Sequence, residues 1–135
     1  MSTTEELASA LRQVLERRPD VRFALLFGST LTRGPERARD VDVAVSFTEP
    51  KPLLLLGRLE GDLERAAGRE IDVVDIDRAT TLLRWEVARG GQVLVCRDRD
   101  ELTEFRARAS LEYLDIQPHR ERQARGLRRA LGLPP

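Results

Sequence analysis

Residues 23–45, with the sequence FALLFGSTLTRGPERARDVDVAV, contain the pattern that decides the fold of this chain. An apolar run ends at Gly28-Ser29, and after ten intervening residues Asp40-Val41-Asp42 opens a second apolar run. Such runs predict strands, and a turn of small residues that leads into a helix exposes backbone N–H groups. Because these groups bind anions, we expect Gly28 and Ser29 to hold a phosphate chain such as a triphosphate.

The second run combines two carboxylates with an apolar back. Asp40 and Asp42 stand at i and i+2, so both side chains share one strand face, about 7 Å apart along the backbone. From there they can converge on two divalent cations roughly 3.5–4 Å apart, the arrangement used for in-line phosphoryl transfer. A surface strand with acidic outward positions is the alternative, but Asp is unfavourable in strands. Together with the Gly28-Ser29 turn, the two carboxylates indicate a nucleotidyl-transfer site.

A third acidic group is usually needed to complete a two-metal site, and the run EIDVVDI at 70–76 supplies candidates. Asp72 stands among β-branched residues and is the predicted third ligand. Asp75 would face the opposite side of the strand, and Glu70 lies at its start. We interpret Asp75 and Asp77 as solvated loop residues or caps of the next helix.

Several further residues have both a functional and a structural interpretation. Arg33 could neutralise a phosphate or be an exposed charge. Arg84 is a weaker phosphate candidate. Trp85 is interpreted as a core residue rather than a nucleobase platform, because its spacing from Leu82 is helical. Tyr113 lies on an apolar stripe and is also interpreted as core.

Alternating strands and helices predict an α/β (α+β) class, a small mixed sheet with helices packed on one face. Strands are predicted over 22–27, 40–47, 70–76 and 92–96. Thr3 and Glu6 have the spacing of a capping box that begins the first helix, and short helices are expected over 28–33 and 79–89. A helical C-terminal region over 99–131 is expected to be interrupted by Pro118. We expect a single domain over 1–135.

Composition excludes several classes of function. The chain has 23 basic and 23 acidic residues and only 4% aromatic residues, which makes nucleic acid an unlikely partner. One Cys is compatible with a reducing compartment, and the acidic N-terminus lacks the apolar segment of a signal peptide. No apolar run approaches the length of a membrane span. The expectation is a cytoplasmic protein without membrane contact.

The Gly28-Ser29 turn, its LLFGST context, the Asp40-Val41-Asp42 motif, the Asp72 run and the later GGQVLV run resemble the minimal nucleotidyltransferases of the DNA polymerase β-like superfamily. The resemblance covers most of the chain and departs most over 99–131. It implies a polymerase β-like fold, with Mg²⁺ bound by Asp40 and Asp42 and the site completed by Asp72. It also implies that Gly28 and Ser29 hold the nucleotide triphosphate.

Many small proteins of this kind are antitoxins paired with a HEPN-domain ribonuclease toxin, and they transfer AMP from ATP onto a toxin tyrosine. The resemblance therefore implies a HEPN-type toxin as partner, in a hetero-complex, with ATP as substrate and Mg²⁺ as cofactor. One alternative is a binding module that masks the toxin without catalysis. The other is nucleotidyl transfer to a small molecule or to an RNA 3′ end. The Arg-rich tail at 120–129 could dock an acidic partner surface or be a solvated helix end.

Overall fold

The computed structural model describes residues 3–28 and 41–132, except for the side chains of 117–121. The first helix, α1, spans Thr4–Glu16, and Thr3 is its N-cap. The Thr3 hydroxyl accepts a hydrogen bond from the backbone N–H of Glu6 at 3.0 Å, which satisfies one of the donors left free at a helix start. The helix start predicted from the Thr3–Glu6 spacing is therefore confirmed.

Four strands form one mixed sheet in the order β3-β2-β1-β4. Their bounds are Val21–Phe27 for β1, Val41–Phe47 for β2, Ile71–Asp75 for β3 and Gln92–Cys96 for β4. Strand β1 pairs antiparallel with β2 and with β4, whereas β2 and β3 are parallel. The C-terminal end of β1 consequently lies beside the N-terminal ends of β2 and β3, at one end of the sheet. This end of the sheet carries Gly28, Asp42 and Asp72.

In the part of the chain that the structure describes, three further helices connect or follow the strands. Helix α2 spans Leu53–Ala67, a 3₁₀ turn spans Ile76–Arg78, α3 spans Thr81–Gly90, and α4 spans Arg99–Ala130. The predicted interruption at Pro118 is wrong, because α4 continues through that position. Proline removes one backbone donor, yet its fixed φ near −65° is compatible with a helix. Among the described residues, no helix combines the length and the apolar character needed to cross a membrane.

Helices pack on both faces of the sheet. Buried residues of α1 and α2 form one apolar cluster with Val41, Val43 and Val45 of β2. A second cluster joins α3 and α4 to residues such as Phe23 and Ala44. The predicted α/β class and mixed sheet are confirmed, but the expectation of helices on one face is wrong. Strands β1 and β2 are near-continuous apolar runs, so both of their faces need cover.

Candidate active site

The centre of the candidate site is the contact between the end of β1 and the start of β2. Phe27 pairs with Asp42 across these strands, and Gly28 follows Phe27 directly. Gly28 has a φ of +85°, a conformation that side-chain-bearing residues rarely adopt. A Cβ added at Gly28 would lie 2.6 Å from Oδ2 of Asp42. Glycine thus suits both the left-handed turn and the close approach of the Asp42 carboxylate, which a Cβ would displace.

Asp72 lies directly beside Asp42 on the neighbouring parallel strand, because the register pairs these two residues. Adjacent strands are about 4.8 Å apart, and paired residues of a parallel ladder point to the same face. Packing supports this shared face. Ala44 and Val74 lie two positions further along their strands than Asp42 and Asp72, and both contact the second apolar cluster. Asp72 is exposed and Asp42 is partly exposed. The structure therefore brings together three of the residues that the sequence singles out, Gly28, Asp42 and Asp72.

The edge strand that carries Asp72 is held by a residue that sequence analysis did not single out. The backbone N–H of Val73 donates a hydrogen bond to Oε2 of Glu60 on α2, at 3.0 Å. Because β3 is an edge strand, this donor would otherwise have no strand partner on that side. The position of Glu60 between Leu59 and Leu63 of the buried helix face is the only signal that could have identified it. Glu60 thus helps to position the strand beside the carboxylates.

Three predicted site residues, Ser29, Arg33 and Asp40, lie outside the described residues, as does the predicted helix over 28–33 beyond Gly28. Within 3–28 and 41–132, no group of three acidic, His or Cys side chains could hold a metal ion. The donor set that is described nevertheless fits Mg²⁺. Carboxylate oxygens are its preferred protein ligands, and the glycine at position 28 lets the chain pass close to Oδ2 of Asp42.

Residues 9–100 match the sequence pattern of the polymerase beta nucleotidyltransferase family. The chain belongs to this family. The match includes β1, β2 and β3, and therefore Gly28, Asp42 and Asp72. The predicted enzyme class, a nucleotidyltransferase, is confirmed.

Relatives of this nucleotidyltransferase include the protein adenylyltransferase MntA of Aphanizomenon flos-aquae (strain 2012/KM1/D3). It is 28% identical over 124 residues, which cover 84% of this chain and 83% of that protein. A crystal structure of a toxin–antitoxin with AMP-PNP superposes with a TM-score of 0.77 at 22% identity, covering 89% of this chain and 97% of that one. A tri-AMPylated Shewanella oneidensis HEPN toxin in complex with MNT antitoxin gives a TM-score of 0.73 at 21% identity, covering 91% and 97%. The predicted polymerase β-like fold is confirmed.

The other acidic residues near β3 have structural roles in the nucleotidyltransferase. The Asp75 side chain caps the 3₁₀ turn by accepting a hydrogen bond from the backbone N–H of Asp77 at 3.1 Å, as predicted. Asp77 is more than a solvated loop residue, because its Oδ2 accepts a hydrogen bond from the buried Ser46 hydroxyl at 3.0 Å and lies 3.3 Å from an Arg22 nitrogen. Ser46 lies four residues from Asp42, at the opposite end of β2. This network therefore does not belong to the candidate site.

The structure gives Arg84, Trp85 and Tyr113 positions that differ from their predicted roles. Arg84 donates to the carbonyl of Ile76 at 2.7 Å and lies 3.5 Å from a Glu112 carboxylate oxygen, so it ties α3 to its neighbours rather than offering a free phosphate ligand. Trp85 and Tyr113 are half-buried and stack on each other with ring centroids 4.0 Å apart. The prediction that both are core residues is wrong. They form an aromatic contact at the α3–α4 surface instead.

Proposed function

We propose that this nucleotidyltransferase transfers AMP from ATP, in a Mg²⁺-dependent reaction, to a tyrosine hydroxyl of a HEPN-type toxin and so acts as its antitoxin. The observation that carries the proposal is the side-by-side register of Asp42 and Asp72 beside Gly28, whose Cβ position lies 2.6 Å from Oδ2 of Asp42. Two adjacent carboxylates at an open glycine turn suit a metal-bound polyphosphate.

In the proposed reaction, the tyrosine oxygen forms a bond to the α-phosphorus of ATP, and the bond from that phosphorus to the bridging oxygen breaks. Pyrophosphate leaves, and the hydroxyl proton passes to solvent. Asp42 and Asp72, with Asp40, would hold Mg²⁺, which neutralises polyphosphate charge and lowers the pKa of the attacking hydroxyl. Gly28 and Ser29 would bind the phosphates through backbone N–H groups at the turn.

The choice of a protein acceptor rests on the relatives and on the exposure of the site. The Aphanizomenon relative is named a protein adenylyltransferase, and the Shewanella structure contains an AMPylated HEPN toxin with its MNT antitoxin. Asp72 is exposed and lies on an edge strand, so a second protein can approach the carboxylates from solvent. A partner protein could thereby supply the hydroxyl at the end of the sheet that carries the carboxylates.

The test is to incubate the purified protein with ATP, Mg²⁺ and the HEPN-type protein encoded beside it, and to measure the intact mass of that partner. We expect mass increments of one adenylyl group, lost with Asp42→Asn, with chelation of Mg²⁺ and with Tyr→Phe substitution in the partner. An unchanged mass with each of the four nucleoside triphosphates would contradict the proposal. Full neutralisation of the toxin by the Asp42→Asn variant would instead favour masking.

A further inference from the structure

We infer that Glu60 is a positioning residue for Asp72 and acts through the backbone hydrogen bond that it accepts from Val73. The inference rests on the proposed function, because it takes Asp72 as a ligand of Mg²⁺. It is carried by three observations: the peptide group that Glu60 holds, the place of β3 at the edge of the sheet, and the position of Glu60 on a packed helix of the opposite layer.

The hydrogen bond of Glu60 holds the peptide group that follows the Cα of Asp72. The backbone N–H of Val73 donates to Oε2 of Glu60 at 3.0 Å, and the bond is partly buried. This N–H belongs to the trans peptide unit that joins Asp72 to Val73, and such a unit is planar. Because the unit is rigid, a held N–H also holds the plane that is attached to the Cα of Asp72. Glu60 thereby limits the directions in which the Asp72 side chain can leave the strand.

Strand β3 has a strand neighbour on one side only. The order β3-β2-β1-β4 places it at an edge of the sheet, and its register with β2 puts Asp72 beside Asp42. Segments with few neighbours open locally more often than those in the middle of a sheet. Glu60 supplies a fixed partner on the open side of β3, next to Asp72. It is thus placed to keep the two carboxylates in the relative position that a shared cation requires.

The position of Glu60 is itself well fixed. Leu59 and Leu63 on the same helix are 2% and 0% exposed and belong to the first apolar cluster. Glu60 is half-buried, and in the described part of the chain no ion pair involves it. Its carboxylate therefore serves the Val73 N–H, and such charge-assisted hydrogen bonds are roughly twice as strong as neutral ones.

Glu60 acts from the opposite layer and not as a metal ligand. Helix α2 packs with Ile71 in the first apolar cluster, whereas Val74, which shares a face with Asp72, contacts the second cluster. The sheet thus separates α2 from the face that carries the Asp72 carboxylate. Glu60 meets only the edge of β3, so its effect on the cation passes through the backbone of Asp72.

The other edge of the sheet offers a matched contact. Nε of Arg12 on α1 donates to the backbone carbonyl of Leu94 in β4 at 2.7 Å, and this bond is also partly buried. Like the Glu60 contact, it joins a charged side chain of the α1–α2 layer to an edge strand. Strand β4 contains no acidic residue. Arg12→Ala therefore removes an edge contact without any effect on Asp72, and it controls for general destabilisation.

The experiment compares Glu60→Ala, Glu60→Asp and Glu60→Gln with Arg12→Ala, each on the full chain and below its Tm. Glu60→Asp keeps the charge and the fold but is one methylene too short for the Val73 N–H, whereas Glu60→Gln keeps an acceptor oxygen at the same reach. Amide hydrogen exchange of Val73, measured by NMR without metal, reports on the hydrogen bond. Two further measurements are the Mg²⁺ concentration that gives half of the rise in Tm, and the kcat and KM of AMP transfer to the HEPN-type partner.

We expect Glu60→Ala and Glu60→Asp to exchange the Val73 amide faster, to need about tenfold more Mg²⁺ and to lower kcat about tenfold, with the KM for the partner unchanged. Glu60→Gln should stay close to the parent in all of these values. Arg12→Ala should lose stability and keep the Mg²⁺ requirement of the parent.

A parental Mg²⁺ requirement in Glu60→Asp would overturn the inference. An equal loss in Arg12→Ala would do the same, since it would reflect general destabilisation, and so would a Glu60→Gln variant as impaired as Glu60→Ala. If the parent protein transfers no AMP to the partner while the variants differ in their Mg²⁺ requirement as expected, the inference is supported and the proposed acceptor alone is wrong.

Discussion

Oδ2 of Asp42 lies 2.6 Å from the position that a Cβ would occupy on Gly28. This relationship joins the two sequence motifs in space, since one ends β1 and the other begins β2. The same glycine has a φ of +85°, so it lacks a side chain for two separate reasons. One reason is conformational and affects stability, and the other is steric and affects the carboxylate. The two effects can be separated by experiment.

Gly28→Ala should lower the free energy of unfolding and also abolish AMP transfer. The left-handed conformation costs roughly 1–2 kcal/mol for a residue with a Cβ, and the added atom would displace the Asp42 carboxylate. Thermal unfolding and steady-state kinetics measure the two effects. Gly68→Ala is the matched control, because Gly68 has a φ of +70° with nothing within 4 Å of its Cβ position. It should lose similar stability and keep full activity; equal activity in both variants would show that Asp42 tolerates the contact.

Asp72→Asn should reduce AMP transfer by about 10²–10³-fold, the usual effect of removing one preorganised electrostatic group. Its apo stability should be unchanged or slightly higher, because two adjacent carboxylates repel each other. We expect Mg²⁺ to raise the Tm of the parent protein and to raise that of the variant less. Differential scanning fluorimetry over a Mg²⁺ titration checks this result.

Asp75→Asn is the control for that experiment on the same strand. Asp75 caps the 3₁₀ turn and lies 3.7 Å from Nε of Arg78, so its substitution should lower stability. The response of the Tm to Mg²⁺ should remain that of the parent. A response to Mg²⁺ reduced equally in both variants would place the metal elsewhere than beside Asp42.

Glu60→Ala should destabilise the fold by about 1–2 kcal/mol, because it removes the acceptor for the backbone N–H of Val73 on an edge strand. Glu60→Gln keeps an acceptor oxygen and should lose less. Urea unfolding measures both values. Equal losses for the two variants would mean that the charge of Glu60, rather than its hydrogen bond, stabilises β3.

The Trp85–Tyr113 stack should contribute about 0.5–1.5 kcal/mol of coupling energy beyond its buried area. A double-mutant cycle with Trp85→Leu and Tyr113→Leu measures it by urea unfolding. The chain contains one Trp, so tryptophan fluorescence of Tyr113→Leu reports directly on the loss of the stack. The control cycle pairs Trp85→Leu with Leu111→Ala. Leu111 lies on the same helix as Tyr113 and is 63% exposed, so this pair should show no coupling.

Much of the fold could be predicted because local signals agree with one another. The Thr3 cap and the alternation in 41–45 both depend on neighbouring residues, and both have their expected role in the structure. The errors arose where long-range packing decides. The rings of Trp85 and Tyr113 pair with each other at a helix interface, and helical spacing could not show whether a sheet covers them.

The sequence by itself determined the chemical groups of the candidate site and the strands that carry them. It did so because a carboxylate at every second position and a glycine at a strand end have meaning within a few residues. Only the tertiary structure decided that Asp42 and Asp72 are neighbours, since parallel register is set by the packing of both strands between two helical layers. The same packing left the last turns of α4 without a sheet beneath them, which no local pattern of residues reveals.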